Sequence, residues 1–193
     1  VIYYGDTART PYGSKSPETI RKFASQIVDY LVSKDVKMVV IACNTVTSLA
    51  LDDLRQQHPE LPIIGVIEPT VRKVVQSHCP NVGIIATKAT IQSDVYARMQ
   101  HLDPSIRTSS LACPAFVPLI EEGIIDNEIM DLTIRYYMDD FVRENGFNHL
   151  ILGCTHYPMI ADNLKRIYPN MNLISSSEAV IDEVEEVLAA RDQ

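Results

Sequence analysis

The stretch ILGCTHYP, residues 151–158, runs from branched apolar residues into Gly153 and Cys154 and stops at Pro158. Its apolar half predicts a buried β-strand, and its polar half lies where that strand ends. A cysteine at this place has two explanations, because free cysteine also packs as a small buried hydrophobe. Evidence from the rest of the sequence is needed to decide whether this thiol is reactive or only packs in the core.

Short apolar runs of the same kind recur along the chain and alternate with stretches of helical periodicity. This alternation, with strands that are apolar on both faces, predicts an α/β fold in which helices cover parallel sheets. The predicted strands are residues 1–5, 38–43, 63–67, 82–87, 108–113, 149–154 and 172–176. Ligands bind at the carboxyl ends of such strands, and Cys43, Thr87, Cys113 and Cys154 lie there.

An internal repeat relates the two halves of the chain. VVIACNT (39–45) aligns with LILGCTH (150–156), so that Cys43 matches Cys154. Each cysteine is followed by a helical pattern, a proline and a further apolar run at nearly equal intervals. We therefore expect two similar α/β domains, related by an approximate twofold axis, that each present one cysteine. The predicted division is 1–78, completed by 172–193, and 79–171.

Composition argues against several classes of function. The chain has 193 residues and a net charge of -8, and its lysines and arginines are scattered, so no nucleic-acid-binding surface is indicated. No apolar run reaches the roughly 18 residues that a membrane helix needs. The four cysteines form no CxxC pair, which indicates no metal site and favours a reducing cytoplasm. No GxGxxG follows a strand, and we expect no cofactor.

Two thiols on opposite sides of one crevice suit the inversion of a carbon stereocentre, in which one base removes a proton and a conjugate acid returns one to the other face. A thiol titrates near pH 8.5, so thiol and thiolate can exchange these roles. His156 falls on the same face of an extended segment as Cys154 and can orient or protonate that thiol. Asn44 and Thr45, and Thr155 in the other half, place polar groups at helix starts, which favour carboxylates.

Six motifs occur in order along the chain: GDTARTPYGSKSPETI (5–20), ACNT (42–45), GVIEP (65–69), ATKATIQS (86–93), FVPLIEEG (116–123) and GCTHYP (153–158). Together they closely resemble the glutamate racemase family. The resemblance implies a cofactor-independent isomerase that makes D-glutamate for peptidoglycan. It also implies catalytic roles for Cys43 and Cys154, supported by His156 and Glu121. The implied substrate-binding residues are Pro11, Tyr12, Gly13, Asn44, Thr45, Thr87, Thr90 and Thr155.

The chain also departs from that family's pattern. The family begins with a strand that ends in an Asp-Ser-Gly turn, and this strand and the helix after it do not precede residue 1 here. The family also runs on beyond the last helix. We therefore expect a fragment with an incomplete first domain. Val46 and Ala86 stand where the family commonly has alanine and glycine.

Other functions stay open at this point. Aspartate racemase, hydantoin racemase and malonate-type decarboxylases share the superfamily, although a decarboxylase tends to need one cysteine only. An inactive, truncated module that binds an amino acid is an alternative of another class. A cysteine hydrolase fits poorly, because no histidine–carboxylate pair is evident beside a thiol. The expected partner is the small-molecule substrate, glutamate, and a homodimer is left open.

Overall fold

The computed structural model of the chain describes residues 1–191, apart from the side chain of residue 178. The strands are β1 (Val39–Ile41), β2 (Ile63–Gly65), β3 (Asn81–Ala86), β4 (Arg107–Ala112), β5 (His149–Gly153) and β6 (Asn172–Ser175). The α-helices are α1 (Pro17–Val32), α2 (Asn44–Gln57), α3 (Ile67–Gln76), α4 (Lys88–Gln92), α5 (Arg98–Leu102), α6 (Phe116–Glu121), α7 (Glu128–Asn145), α8 (Ala161–Ile167) and α9 (Ser176–Ala190). Short 3₁₀ helices cover Thr7–Arg9, Val95–Ala97 and Tyr157–Ile160.

The strands form two parallel sheets. In one, β1 pairs with β2, and in the other the order is β4-β3-β5-β6. All the strand pairs are parallel, and β3 and β5 at the centre of the larger sheet are almost entirely buried. Parallel strands that are apolar on both faces need helices on both sides. The predicted α/β fold with parallel, helix-covered sheets is therefore confirmed.

The repeat predicted from the sequence reappears as two strand–helix–strand units. Strand β1 leads through α2 to its parallel neighbour β2, and β5 leads through α8 to its parallel neighbour β6. The two predicted cysteines lie at equivalent places, directly after β5 and at the start of α2. Each unit therefore places its cysteine at the carboxyl ends of its strands.

Helix α1 illustrates how local sequence builds the first unit. The side chain of Ser16 accepts a hydrogen bond from the backbone N–H of Thr19, and a proline occupies the first helical turn. The helix buries Ile20, Ala24 and Val28, which follow one another at helical spacing. The latter two pack in a core cluster with residues of β1, α2 and β2.

The first predicted strand is wrong. Residues 1–5 form no strand and are exposed. A β-strand is held by hydrogen bonds to a neighbouring strand, and residues 1–5 pair with no strand of the described chain. The other predicted strands are present, with ends that coincide or differ by at most two residues.

The predicted domain division differs from the observed strand pairing at one place. We expected residues 172–193 to complete the first domain, but β6 pairs with β5 and extends the larger sheet. Helix α9 returns to the first unit, where it packs against α3, and Arg72 forms an ion pair with Glu183. We propose a division in which β6 belongs with 79–171 and α9 with 1–78, and residues 192–193 of the predicted range lie outside the described part.

Candidate active site

Two cysteine sulfurs lie at strand ends, each in a cradle of backbone N–H groups. Cys43 is the N-cap residue of α2, and the backbone N–H groups of Thr45 and Val46 stabilise negative charge on its sulfur. Cys154 follows β5, and the backbone N–H groups of His156 and Tyr157 stabilise negative charge on its sulfur. The donors stand two and three residues after the cysteine in both cases. The sequence repeat is thus matched by a repeat in sulfur environment.

Burial governs the protonation of both thiols. Burial, together with negative charge at Cys43, raises the pKa of Cys154 to about 12, although the two N–H groups oppose this. Burial also raises the pKa of Cys43, although its N–H donors and the Thr45 hydroxyl oppose this. The influence of one sulfur on the other shows that the two lie within electrostatic reach. Both raised pKa values favour the neutral thiol at neutral pH.

A histidine and a carboxylate stand behind the second cysteine. The Sγ atom of Cys154 lies 3.8 Å from Nδ1 of His156, and Nε2 of His156 lies 2.5 Å from Oε1 of Glu121. Glu121 ends α6 and lies 35 residues before His156. The spacing of the two residues in the sequence therefore does not indicate that they form a pair. The statement that a histidine–carboxylate pair is lacking was therefore wrong. The pair can receive the thiol proton and hold it.

Three predicted threonines form one buried hydroxyl cluster, which we call the threonine cluster. The hydroxyl of Thr45 lies 2.9 Å from that of Thr87 and 3.3 Å from that of Thr90, and the last two are 3.1 Å apart. Thr87 also caps α4 by accepting from the backbone N–H of Thr90. The fourth predicted threonine, Thr155, is partly exposed beside Cys154.

The predicted Pro11–Gly13 segment packs against the threonine cluster. A Cβ atom on Gly13 would lie 2.6 Å from Cβ of Thr87, so the close approach of this backbone requires glycine. Pro11 itself is exposed and Tyr12 partly buried. Burial, the hydrogen bond to Asp6 and negative charge at Cys43 raise the pKa of Tyr12, which places its ring near the first cysteine.

An ion-pair network holds the Pro11–Gly13 segment in place. Two of its residues, Asp6 and Arg9, were not predicted as site residues from the sequence. The hydroxyl of Tyr12 donates to Asp6, and Nε of Arg9 lies 2.7 Å from the Asp6 carboxylate. The Arg9 guanidinium also lies 4.2 Å from the ring centroid of Phe23 on α1. Both residues lie within the motif GDTARTPYGSKSPETI (5–20), which is the sequence feature that could have identified them.

Asn44 is held by two side chains from distant parts of the chain. Its Oδ1 accepts from the hydroxyl of Tyr96 at 2.8 Å, and its Nδ2 donates to the hydroxyl of Ser176 at 3.2 Å. Asn44 is buried. Neither Tyr96 nor Ser176 lies in a pattern that marks it, and sequence reasoning missed both.

The structure also bears on metals, membranes and other cavities. Among the side chains that the structure describes, no group of three or more from histidine, cysteine, aspartate and glutamate could hold a metal ion. No helix in the described part is long and apolar enough to cross a membrane. An open cavity lined by Arg21, Glu68 and Arg98 contains neither Cys43 nor Cys154.

The sequence of the chain is similar to those of known racemases. The Asp/Glu/Hydantoin racemase family model matches residues 1–188. The glutamate racemase of Sulfurihydrogenibium sp. is 44% identical over 190 residues, which cover 97% of this chain and 72% of that protein. The glutamate racemase of Neisseria gonorrhoeae is 40% identical over 191 residues, or 98% of this chain and 70% of that protein.

Solved structures agree with the sequence relatives. The crystal structure of glutamate racemase from Francisella tularensis in complex with D-glutamate superimposes with a TM-score of 0.91 at 37% identity. The match covers 97% of this chain and 70% of that one. Glutamate racemase from Thermus thermophilus matches with a TM-score of 0.85 at 39% identity, over 97% of this chain and 70% of that one. Similarity of fold and sequence thus extends over nearly the whole chain.

Proposed function

Because the chain belongs to the Asp/Glu/hydantoin racemase family and is, like its glutamate racemase relatives, an isomerase, we propose that it interconverts L- and D-glutamate by two-base proton transfer. Cys43 and Cys154 are the two acid–base residues of this proposal. The observation that carries it is the matched placement of the two sulfurs, each at a strand end, each cradled by two N–H groups and each within electrostatic reach of the other.

The proton transfers balance without any further reactant. In one direction the thiolate of one cysteine takes the Cα proton and becomes a thiol. The thiol of the other cysteine gives its proton to the opposite face of the carbon and becomes a thiolate. The carbon loses one proton and gains one, so its configuration inverts. The reverse reaction restores the starting protonation of both sulfurs.

Formation of the thiolate needs positive charge or a base nearby, because burial favours the neutral thiol at both cysteines. His156 can accept the proton of Cys154, and the Glu121 carboxylate then stabilises the imidazolium. The sulfur of Cys43 has the N-terminal N–H groups of α2 instead. The ammonium group of a bound amino acid adds a positive charge that favours either thiolate.

The remaining polar groups suit the carboxylates of an acidic amino acid. The hydroxyls of the threonine cluster hydrogen-bond to one another. Each hydroxyl can turn its hydrogen to a carboxylate oxygen at little cost, because the hydroxyl rotates freely about its C–O bond. Asn44, Thr155 and the backbone of Pro11–Gly13 complete the proposed set. These groups can stabilise charge on the substrate as the Cα proton leaves.

The proposed role in the cell is the supply of D-glutamate for peptidoglycan. The cytoplasm is the proposed location, and the four cysteines are all unpaired, as in a reducing compartment. A homodimer stays a prediction.

Optical rotation of L- and D-glutamate incubated with the protein tests the function. Decay of both rotations toward zero at equal rates at low substrate concentration is expected, with aspartate changing at least tenfold more slowly. Equal rates for aspartate would favour the aspartate racemase alternative. Binding of D-glutamate without any change in rotation would favour the binding module. Cys79→Ser is a matched control, since Cys79 is buried outside this site and should leave the rates unchanged.

A further inference from the structure

We propose that Tyr96 is a positioning residue of the racemase site, which acts by fixing the carboxamide of Asn44. The inference rests on the proposed function, because it assigns Tyr96 a task only if Asn44 binds the substrate. Tyr96 lies in the 3₁₀ helix Val95–Ala97, outside all the motifs that carry the family resemblance.

Tyr96 touches the neighbours of both cysteines. Its hydroxyl donates to Asn44, the residue after Cys43. Its ring lies beside Gly153, the residue before Cys154, since a Cβ atom there would be 3.4 Å from Cε2 of the ring. One side chain thus spans the two strand ends that present the thiols.

The carboxamide of Asn44 has one N–H on Nδ2 that is available to bind a substrate. Tyr96 occupies Oδ1, and the hydroxyl of Ser176 takes one of the two hydrogens on Nδ2. Among the side chains that the structure describes, none accepts the second hydrogen, although Asn44 is 2% exposed. A buried donor without an acceptor costs free energy, and a substrate oxygen would relieve that cost. Tyr96 and Ser176 hold the plane of the amide and so set the direction of this free N–H.

The hydroxyl of Tyr96 is suited to this task because it stays protonated. Tyr96 is 3% exposed, and its ring packs in an apolar cluster with Ile84, Met99 and Ile151. Burial, and then negative charge at Cys154, raise its pKa. The phenol therefore remains a neutral donor even when Cys154 becomes a thiolate during turnover.

Tyr96→Phe tests the inference, because phenylalanine keeps the ring and its packing and removes only the donor. The expected result is a fall of roughly tenfold in kcat/KM for both enantiomers and a similar weakening of D-glutamate binding measured by calorimetry. In an Asn44→Ala background, Tyr96→Phe should change neither quantity further, because the group that it positions is gone. The matched control is Tyr168→Phe, whose hydroxyl bonds Asp139 far from the site and should alter neither.

Two outcomes would overturn the inference. One is unchanged kinetics and binding in Tyr96→Phe, and the other is an equal loss with and without Asn44, which indicates a general packing effect. A third readout does not depend on turnover: the side-chain amide resonances of Asn44 in a ¹⁵N–¹H spectrum should shift in Tyr96→Phe. If the wild-type protein neither binds nor racemises glutamate, the proposed function fails, and unshifted Asn44 resonances would then overturn this inference separately.

Discussion

Cys43 and Cys154 occupy equivalent positions, since the backbone N–H groups two and three residues further along the chain stabilise negative charge on each sulfur. The equivalence comes from two strand–helix–strand units with the same local geometry at the strand end. A reaction that runs equally in both directions benefits from such a site, because the two enantiomers of an amino acid have equal free energy. The side chains behind the sulfurs are nevertheless different, and this difference makes several predictions possible.

Replacing the histidine behind Cys154 should impair one of the two proton transfers. For His156→Asn we expect kcat/KM to fall by about 100-fold in both directions, since general acid–base groups typically contribute that much and the equilibrium constant cannot change. The step at Cys154 then limits the rate. The deuterium isotope effect from Cα-labelled substrate should therefore increase for one enantiomer and not for the other, as measured with both labelled enantiomers.

Two further variants, Glu121→Gln and His149→Asn, serve as comparisons for the loss of activity in His156→Asn. The first keeps the size of the partner of His156 and removes its charge, so a smaller loss, near tenfold, is expected. The second changes a histidine whose ring hydrogen-bonds to Asn148 and Asn172 at the amino end of β5, and it should leave the kinetics unchanged. Equal isotope effects for both enantiomers in His156→Asn would contradict the assignment of His156 to Cys154 alone.

The threonine cluster should contribute to substrate binding more than to proton transfer. Thr90→Val removes one hydroxyl and nearly preserves the side-chain shape. We expect KM for both enantiomers to rise by roughly tenfold with kcat changed by less than about threefold, the pattern for loss of an interaction made equally before and during the reaction. Thr70→Val is the control, since this buried threonine bonds the carbonyl of Val66 outside the site. A large fall in kcat at unchanged KM would refute the assignment.

The close contact between Gly13 and Thr87 predicts a strong effect of one methyl group. In Gly13→Ala the new Cβ atom would lie 2.6 Å from Cβ of Thr87, so the backbone of residues 11–13 must move away from the threonine cluster. We expect kcat/KM to fall by at least about tenfold. The midpoint of thermal unfolding should change little, because the segment lies near the surface. Gly5→Ala is the control, since its nearest neighbour is the exposed side chain of Tyr3, and equal kinetics in the two variants would contradict this prediction.

Burial of Cys154 predicts how stability depends on pH. Below about pH 8.5 the thiol keeps its proton in the folded and the unfolded chain, and the group has no effect. Between about 8.5 and 12 the unfolded chain releases the proton and the folded chain retains it, so the free energy of unfolding falls as pH rises. The slope from one thiol is at most about 1.4 kcal/mol per pH unit. Urea unfolding at pH 8 and pH 10 should show a smaller decrease in Cys154→Ala, and an equal decrease would contradict the prediction.

The sequence sufficed for features that depend on local pattern. The β1 and β5 strand ends, the repeat that pairs Cys43 with Cys154 and the α/β fold all follow from apolar periodicity and short motifs. The N-cap of α1 at Ser16 follows likewise. Each of these features rests on patterns no longer than about 20 residues, some of which recur along the chain. Periodicity is informative over that range.

Features that depend on distant contacts could not be predicted in this way. Asn44 and Ser176 are 132 residues apart, and Asn44 and Tyr96 are 52 apart. Nothing in the local pattern of Tyr96 distinguishes its hydroxyl from that of any other buried tyrosine. The sheet that β6 joins could not be predicted for a related reason, because an apolar run does not indicate which sheet it joins.

The most direct test of the central claim follows deuterium during turnover in D₂O. Starting from protiated L- or D-glutamate, ¹H NMR at early times should show product that carries deuterium at Cα while the remaining substrate keeps its proton. This is expected because the incoming hydrogen comes from a second thiol that exchanges with solvent. Cys43→Ser and Cys154→Ser should each abolish product formation. Product that retains the substrate proton, or racemisation that survives in either variant, would contradict two-base catalysis by Cys43 and Cys154.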